Sequence, residues 1–184
     1  KYMFNASLNL FHYNDPARRF YAELYTDEFP NTITDRQEAG HDRGLTPSID
    51  LYYQHNLKKN QFLALNAVGT FIGTKNRNTY AEYLNDEKIV DYQSGVNGNK
   101  YSIILEGIYE KGFDNGGRLS TGIKHAQGYT DNIYDGTLYF QTKMKQADTY
   151  GYIQYQGRWK KLGYNIGLGA TRSWFCQEGQ KDYE

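Results

Sequence analysis

The feature that most constrains this chain is a repeated alternation of apolar and polar residues, in segments joined by links of two lengths. A period of two is typical of a β-strand, because successive side chains of a strand point to opposite faces of a sheet. Seven such segments are present, at about 1–12, 46–57, 61–73, 99–112, 117–129, 148–159 and 161–175. The sequence therefore predicts an all-β protein, built as an antiparallel up-and-down meander.

The links between these segments alternate between long and short. The short ones are 58–60, 113–116 and residue 160. The long ones are polar, rich in Tyr, Asn and Asp, and cover about 13–45, 74–98 and 130–147. Tight turns at one rim and long loops at the other are typical of an outer-membrane β-barrel, in which the short turns are periplasmic. We therefore expect the first and last strands to run outward.

Segment length and the composition of the two faces favour a barrel wall. The segments run about 11 to 13 residues, whereas ordinary strands have about 5–6 residues and a tilted membrane strand needs about 9–11. In 161–175 one face is largely apolar, with Ile166 and Leu168, and the other is small or polar, with Gly167 and Gly169. A strand with lipid on its outer face and a water-filled lumen on its inner face is expected to show this contrast between apolar and small or polar residues.

Aromatic residues are abundant, with 19 Tyr, 9 Phe and 2 Trp. Tyrosine suits a boundary that is dry on one side and wet on the other, and barrels carry aromatic girdles at both membrane surfaces. The residues that would form two girdles are Phe71, Tyr101 and Trp174 towards the long-loop rim, and Tyr109, Trp159 and Tyr164 towards the short-turn rim. Tyrosine is also a good strand former in soluble β-proteins, and composition alone leaves both interpretations open.

Charge and hydropathy exclude several classes. The 21 basic and 21 acidic residues balance, so nothing indicates a nucleic-acid partner. Mean hydropathy is −0.83 and no run approaches the 18 apolar residues of a membrane-spanning helix. Cys176 is the single cysteine, which permits no internal disulfide.

Several hairpin sequences resemble those of a known family. They are Pro47–Tyr53 with Leu57–Leu63, Glu106–Gly112 with Leu119–Ile123, and Tyr164–Gly169. Together they look similar to the C-terminal β-barrel of TonB-dependent outer-membrane receptors, in the group described as outer-membrane β-barrel or carboxypeptidase-regulatory-like receptors. The resemblance covers about 46–175.

The resemblance implies a barrel of about 22 strands with an N-terminal plug, located in the bacterial outer membrane. Its implied partners are outer-membrane lipid, the rest of the barrel and plug, TonB-type energy coupling and a small solute. Seven strands is an odd number, and a polar stretch follows Cys176, so residues 1–184 are expected to form one region, a segment of a transmembrane outer-membrane β-barrel. No functional residue is carried over, because the coupling box and plug lie outside this sequence.

The long loops contain the candidate ligand-binding residues. Exposed rings among Asn, Asp and Gln could stack on sugars or peptides at an extracellular mouth, or could simply pack the loops together. The candidates are Tyr21, Tyr25, Tyr80, Tyr83, Tyr134 and Tyr139.

Motifs for other chemistry are missing from the sequence. There is no P-loop, GxSxG, HExxH or paired CxxC, so we predict no catalytic residues. Asp35, Glu38, His41 and Asp42 could offer ligands to a hard cation, but their spacing matches no calcium loop and a solvated loop is the favoured interpretation. No metal or cofactor is predicted.

Three functions are compatible with these patterns. The leading hypothesis is a non-enzymatic wall segment of an outer-membrane receptor or transporter for TonB-dependent solute uptake. The alternative is a soluble all-β sandwich that binds carbohydrate or another ligand. A small complete barrel with lipase or protease activity is the third, and the dispersed histidines offer it no catalytic set.

Overall fold

The chain forms a single sheet of seven antiparallel strands in chain order, and this confirms the predicted all-β up-and-down meander. The computed structural model describes residues 1–26, 29–57, 60–137 and 139–181. For residues 17, 24–26, 29–34, 180 and 181 it describes the backbone and not the side chain. The strands are β1 (Tyr2–Thr26), β2 (Phe29–Leu57), β3 (Gln61–Leu84), β4 (Glu87–Gly112), β5 (Arg118–Gly136), β6 (Phe140–Trp159) and β7 (Leu162–Lys181). Within the described ranges, no helix is long and apolar enough to cross a membrane.

The predicted long loops are wrong, because the strands continue through them. Residues 13–45, 74–98 and 130–147 lie almost entirely in strand, and individual strands reach 29 residues in β2. The connection between β3 and β4 is only Asn85–Asp86, with φ of 50° and 65°, as a two-residue type I′ hairpin requires. The strands continue to pair here although neither face of the sheet is apolar, because backbone hydrogen bonds form whether or not the side chains are exposed to water. We call these extensions the upper half, and the predicted segments the lower half.

Register assigns every residue to one of two faces, because directly paired residues of neighbouring strands share a face. The front face is the side that bears Leu8, Ile49, Gly69, Ile103, Gln127, Ala147 and Trp174, which are paired successively across the sheet. The back face bears Asn5, Tyr52, Asn66, Glu106, Lys124, Tyr150 and Thr171, paired in the same way. In the lower half the front face is therefore largely apolar and the back face largely polar.

The apolar side chains of the front face are exposed. Leu8 is 77% exposed, Ile166 67% and Leu168 79%. Among the described residues, Ala64 is the one buried hydrophobic side chain. The accessible area of 13997 Å² exceeds the about 9,000 Å² expected of a compact monomer of this mass. The described chain is thus a single layer, and its apolar face has no protein packed against it.

Aromatic rings bound the apolar front face above and below. At the upper boundary the centroids of Phe71 and Tyr101 are 4.9 Å apart, and those of Tyr101 and Tyr129 are 6.2 Å apart. At the lower boundary Tyr155 and Tyr164 are 6.1 Å apart. We call these the upper and lower aromatic rows. The two predicted groups of aromatic residues therefore do lie at opposite ends of one face.

The turn at Lys160–Lys161 joins β6 to β7 and gives a test of the fold. Lys160 has φ of 55°, whereas Lys161 lies outside the left-handed region. A side chain in that region costs about 1–2 kcal/mol, so Lys160→Gly should raise the free energy of unfolding by up to about 1 kcal/mol after the entropic cost of glycine. Lys161→Gly removes the same charge and should lower it. Urea unfolding in detergent micelles measures both, and equal effects would contradict the turn geometry.

Candidate functional site

The back face of the upper half carries the densest set of interacting polar side chains in the described chain. Strand register brings them together from residues that are far apart in sequence: Glu38 pairs with Tyr80, Arg36 with Glu82, and Asp42 with Asn76. We call this the upper polar cluster. Its members are Arg18, Arg36, Glu38, Asp42, Asn76, Asn78, Tyr80 and Glu82.

One end of the cluster is organised around Arg36 and Tyr80. Arg36 donates hydrogen bonds to Glu38, with Nε 2.9 Å from Oε1, and its guanidinium carbon lies 4.7 Å from the centre of the Tyr80 ring. The Tyr80 hydroxyl donates to Glu82. The bond to Glu38 raises the pKa of Arg36, and the bond to Glu82 raises the pKa of Tyr80. Each carboxylate thus has a fixed donor, and the Tyr80 ring is held beneath a cation.

The other end is organised around Asp42. Asn76 donates to Asp42, and Asn78 Nδ2 donates to Asn76 Oδ1 at 2.7 Å. Arg18 Nη2 lies 3.7 Å from Asp42 Oδ2. A Cβ atom at Gly40 would lie 2.8 Å from Asn78 Oδ1 and 3.3 Å from Arg18 Nη2. A side chain at position 40 would therefore require the flexible ends of Asn78 and Arg18 to shift.

Aromatic rings edge a shallow groove of about 500 Å³ over the cluster. Phe20 pairs with Glu38 on one side, and Tyr92 pairs with Tyr80 on the other. Of the charged residues of the cluster, Arg18 and Glu38 line the groove, one of each sign, so the groove suits a neutral or zwitterionic solute with several hydrogen-bonding groups. The arrangement can bind and orient such a solute by hydrogen bonds and ring contacts.

The six predicted tyrosines do not form one site, although Tyr21 and Tyr83 line one hollow of about 390 Å³ on the front face. Tyr80 and Tyr134 lie on the back face, and Tyr134 stacks on Phe140 with centroids 4.0 Å apart. Tyr21 and Tyr83 lie on the front face. Five of the six belong to strands rather than loops, Tyr139 lies between β5 and β6, and the Tyr25 side chain is outside the described residues.

The predicted oxygen-rich segment Asp35–Asp42 is a strand, and its side chains therefore alternate between faces. Glu38 and Asp42 are on the back face, and Asp35 and His41 are on the front face. In the part of the chain that the structure describes, no group of three or more His, Cys, Asp or Glu side chains could hold a metal ion.

The histidines are dispersed in space as they are in sequence. His41 Nε2 lies 2.8 Å from Asn14 Oδ1, and His125 Nδ1 lies 2.8 Å from Thr149 Oγ1. His55 Nδ1 lies 3.2 Å from the Tyr53 hydroxyl. These three imidazoles are thus bonded to an amide, a threonine and a tyrosine, which is not the serine–histidine–carboxylate arrangement of a hydrolase.

Two further hollows lie on the front face of the lower half. Each is centred on a glycine, Gly69 or Gly107, and is lined mainly by apolar neighbours such as Ile103 and Leu105. They arise because a missing side chain leaves a gap between large ones. We therefore place the candidate site at the upper polar cluster and not at these hollows.

No protein-family model matches the chain, and no curated protein matches it. The resemblance of residues 46–175 to TonB-dependent receptors therefore stays a prediction.

The Tyr80–Glu82 bond gives a pH-dependent test of the site. Because the pKa of Tyr80 is raised, its bond stabilises the fold fully below the ordinary tyrosine pKa of about 10 and is lost as pH rises through the raised value. The difference between the tyrosinate absorbance titrations of wild type and Tyr80→Phe should show a residue that ionises above that ordinary range. Glu82→Gln removes the charged acceptor and should lower this pKa. An unchanged titration in Glu82→Gln would contradict the contact.

Proposed function

We propose that the chain forms part of the wall of an outer-membrane β-barrel, in a non-enzymatic receptor or transporter for TonB-dependent solute uptake. One observation carries the proposal: an exposed apolar band on one face of the sheet, bounded above and below by aromatic rows, with a polar face behind it. A barrel wall in a bilayer requires this combination, since lipid covers one face and water the other.

The height of the band supports the assignment. The upper aromatic residue Tyr129 pairs with Lys145, and the lower residue Tyr155 lies further along the same strand, β6. The about ten residues between Lys145 and Tyr155 rise about 34 Å along the strand, and a tilt of about 35–45° reduces this to about 24–28 Å of height. The lipid-facing band of membrane barrels is about 25 Å tall.

The polar back face then lines the lumen, and the upper half projects beyond the outer membrane surface. The upper polar cluster would sit on the lumen side of this projection, where an incoming solute first meets the wall. The plug and the energy coupling enter this proposal only through the family resemblance of residues 46–175.

A soluble all-β binding module is the second candidate, favoured only by the aromatic groove over the cluster. A sandwich buries its apolar face against a second sheet, and the described strands form one sheet with its apolar face open. An exposed apolar surface of this extent favours association with lipid or protein.

Solution behaviour separates these two candidates. We expect the chain to require detergent or lipid, and to aggregate when detergent is removed, because the front face would be exposed to water. Light scattering and sedimentation with and without detergent measure this. A stable monomer in plain buffer would contradict the barrel and support the soluble module.

Neighbouring residues on opposite faces give a sharper test. Leu65 is on the front face near the middle of the band, since it is level with Gly107, Ile123 and Gly151, and Asn66 is on the back face. In lipid vesicles, Leu65→Arg should lower the free energy of unfolding by about 2–4 kcal/mol, whereas Asn66→Arg should have little effect. Both substitutions add the same charge, so urea unfolding that shows equal losses would contradict a lipid-facing front face.

A further inference from the structure

Five basic residues lie together on the front face of the upper half, on the side opposite to the upper polar cluster. They come from three neighbouring strands, and all are exposed. We call this group the basic surface. Its members are Arg19 on β1, His41 and Arg43 on β2, and Lys75 and Arg77 on β3.

Basic residues oppose one another directly across these strands, and in Arg43 and Lys75 like charges meet. Arg43 pairs with Lys75, and His41 pairs with Arg77. Directly opposed like charges destabilise a sheet, and the described ion pairs involve other basic residues, namely Arg18, Arg36, Lys88 and Arg118. The described residues directly adjacent to the basic surface on the same face are uncharged, among them Asn14, Ala39, Leu45, Gly73, Thr79, Gly95 and Asn97. Acidic residues on this face lie at least one position further away, among them Asp91, which is ion-paired with Lys88, and Asp135, which is paired with Gly95.

A second basic position on the front face shows the contrast. Lys143 on β6 pairs with Asp131 on one side and with Glu178 on the other. Its charge is thus matched within the sheet, as is usual for an exposed strand. The basic surface lacks this arrangement, and an anion from outside the described chain would supply the missing charge.

The position of the basic surface on the sheet indicates which kind of anion it would bind. Arg43 lies one pleat further from the apolar band than Leu45, and Lys75 lies beyond Phe71 of the upper aromatic row. In the proposed barrel this is the depth of the lipid headgroups, immediately above the hydrocarbon layer.

We propose that the basic surface binds the phosphates of an anionic glycolipid headgroup in the outer leaflet. Arginine and lysine bind phosphate oxygens by charge-assisted hydrogen bonds. The amides of Asn14 and Asn97 and the hydroxyl of Thr79 surround the cations and suit the hydroxyls of a sugar. The inference rests on the proposed function, because only a membrane wall holds this face against a lipid headgroup.

The test uses the full chain in phosphatidylcholine vesicles, with or without lipid A, a phosphorylated glycolipid. The variant is Arg43→Gln/Lys75→Gln, and the control is Lys100→Gln/Lys124→Gln, which removes two basic charges from the back face. Each basic residue near an anionic membrane surface contributes about fivefold in affinity, so the variant should retain lipid A roughly thirtyfold more weakly. The control should match wild type. Native mass spectrometry of the extracted protein counts the bound lipid A.

Thermal unfolding in the same vesicles distinguishes binding from a structural role. Without lipid A, the variant should be as stable as wild type or more stable, since it relieves like-charge repulsion. With lipid A, wild type should gain stability and the variant should not. A variant that is less stable in both membranes, or that retains lipid A equally, would overturn the proposal.

Two further outcomes are informative. Addition of inorganic phosphate should displace little lipid A, and equal binding of inorganic phosphate in detergent would assign the surface to a free anion and overturn the lipid assignment. A chain that enters vesicles but shows no lipid A preference defeats this inference alone. A chain that does not enter vesicles defeats it together with the proposed function.

Discussion

Backbone hydrogen bonds between neighbouring strands place Ile49, Gly69 and Ile103 side by side, although these residues are far apart in sequence. Every surface of the molecule depends on this pairing, because a shift of one residue would move each side chain to the other face. The lower half fixes the pairing strongly, since a slipped strand would carry apolar residues such as Leu105 to the polar face. The upper half then inherits its register from the lower half, because the same strands continue through both.

The strands of the lower half could be predicted because only one of their faces is apolar. Where Leu162, Ile166 and Leu168 alternate with glycine and polar residues, the period of two is visible in the sequence alone. In the upper half both faces are polar, so residues 35–42 and 76–79 show no alternation and the pattern predicts loops there. The Thr and Tyr residues within 79–83, and the Asn85–Asp86 turn that joins β3 to β4, are the signals that could have indicated a hairpin.

The upper polar cluster could not be predicted from the sequence, because its contacts cross strands. Arg36 and Tyr80 meet only if the β2–β3 register is known. The basic surface could not be predicted from the sequence for a second reason. A bulge between Asp15 and Arg18, at Pro16, changes which residues of β1 face forward, and so Arg19 lies on the front face although simple alternation from Tyr13 places it on the back. Proline has no N–H to donate to a neighbouring strand and is confined to edge strands and bulges, but the change that this bulge makes to the alternation of β1 is visible only in the structure.

The two edge strands of the sheet, β1 and β7, need partner strands if the sheet is part of a membrane wall. In the described residues β1 pairs only with β2, and β7 only with β6. Each edge therefore carries a row of backbone N–H and C=O groups without a strand partner. In water such groups bind solvent, but in hydrocarbon each unsatisfied group costs several kcal/mol, and open sheet edges do not occur there. In the proposed membrane setting, further strands, from a longer chain or from other copies of this one, must therefore pair with both β1 and β7. Under the proposal, solute passage would be a property of the closed wall, to which these strands would contribute a lipid-facing band, a lumen-facing polar cluster and a headgroup-level basic surface.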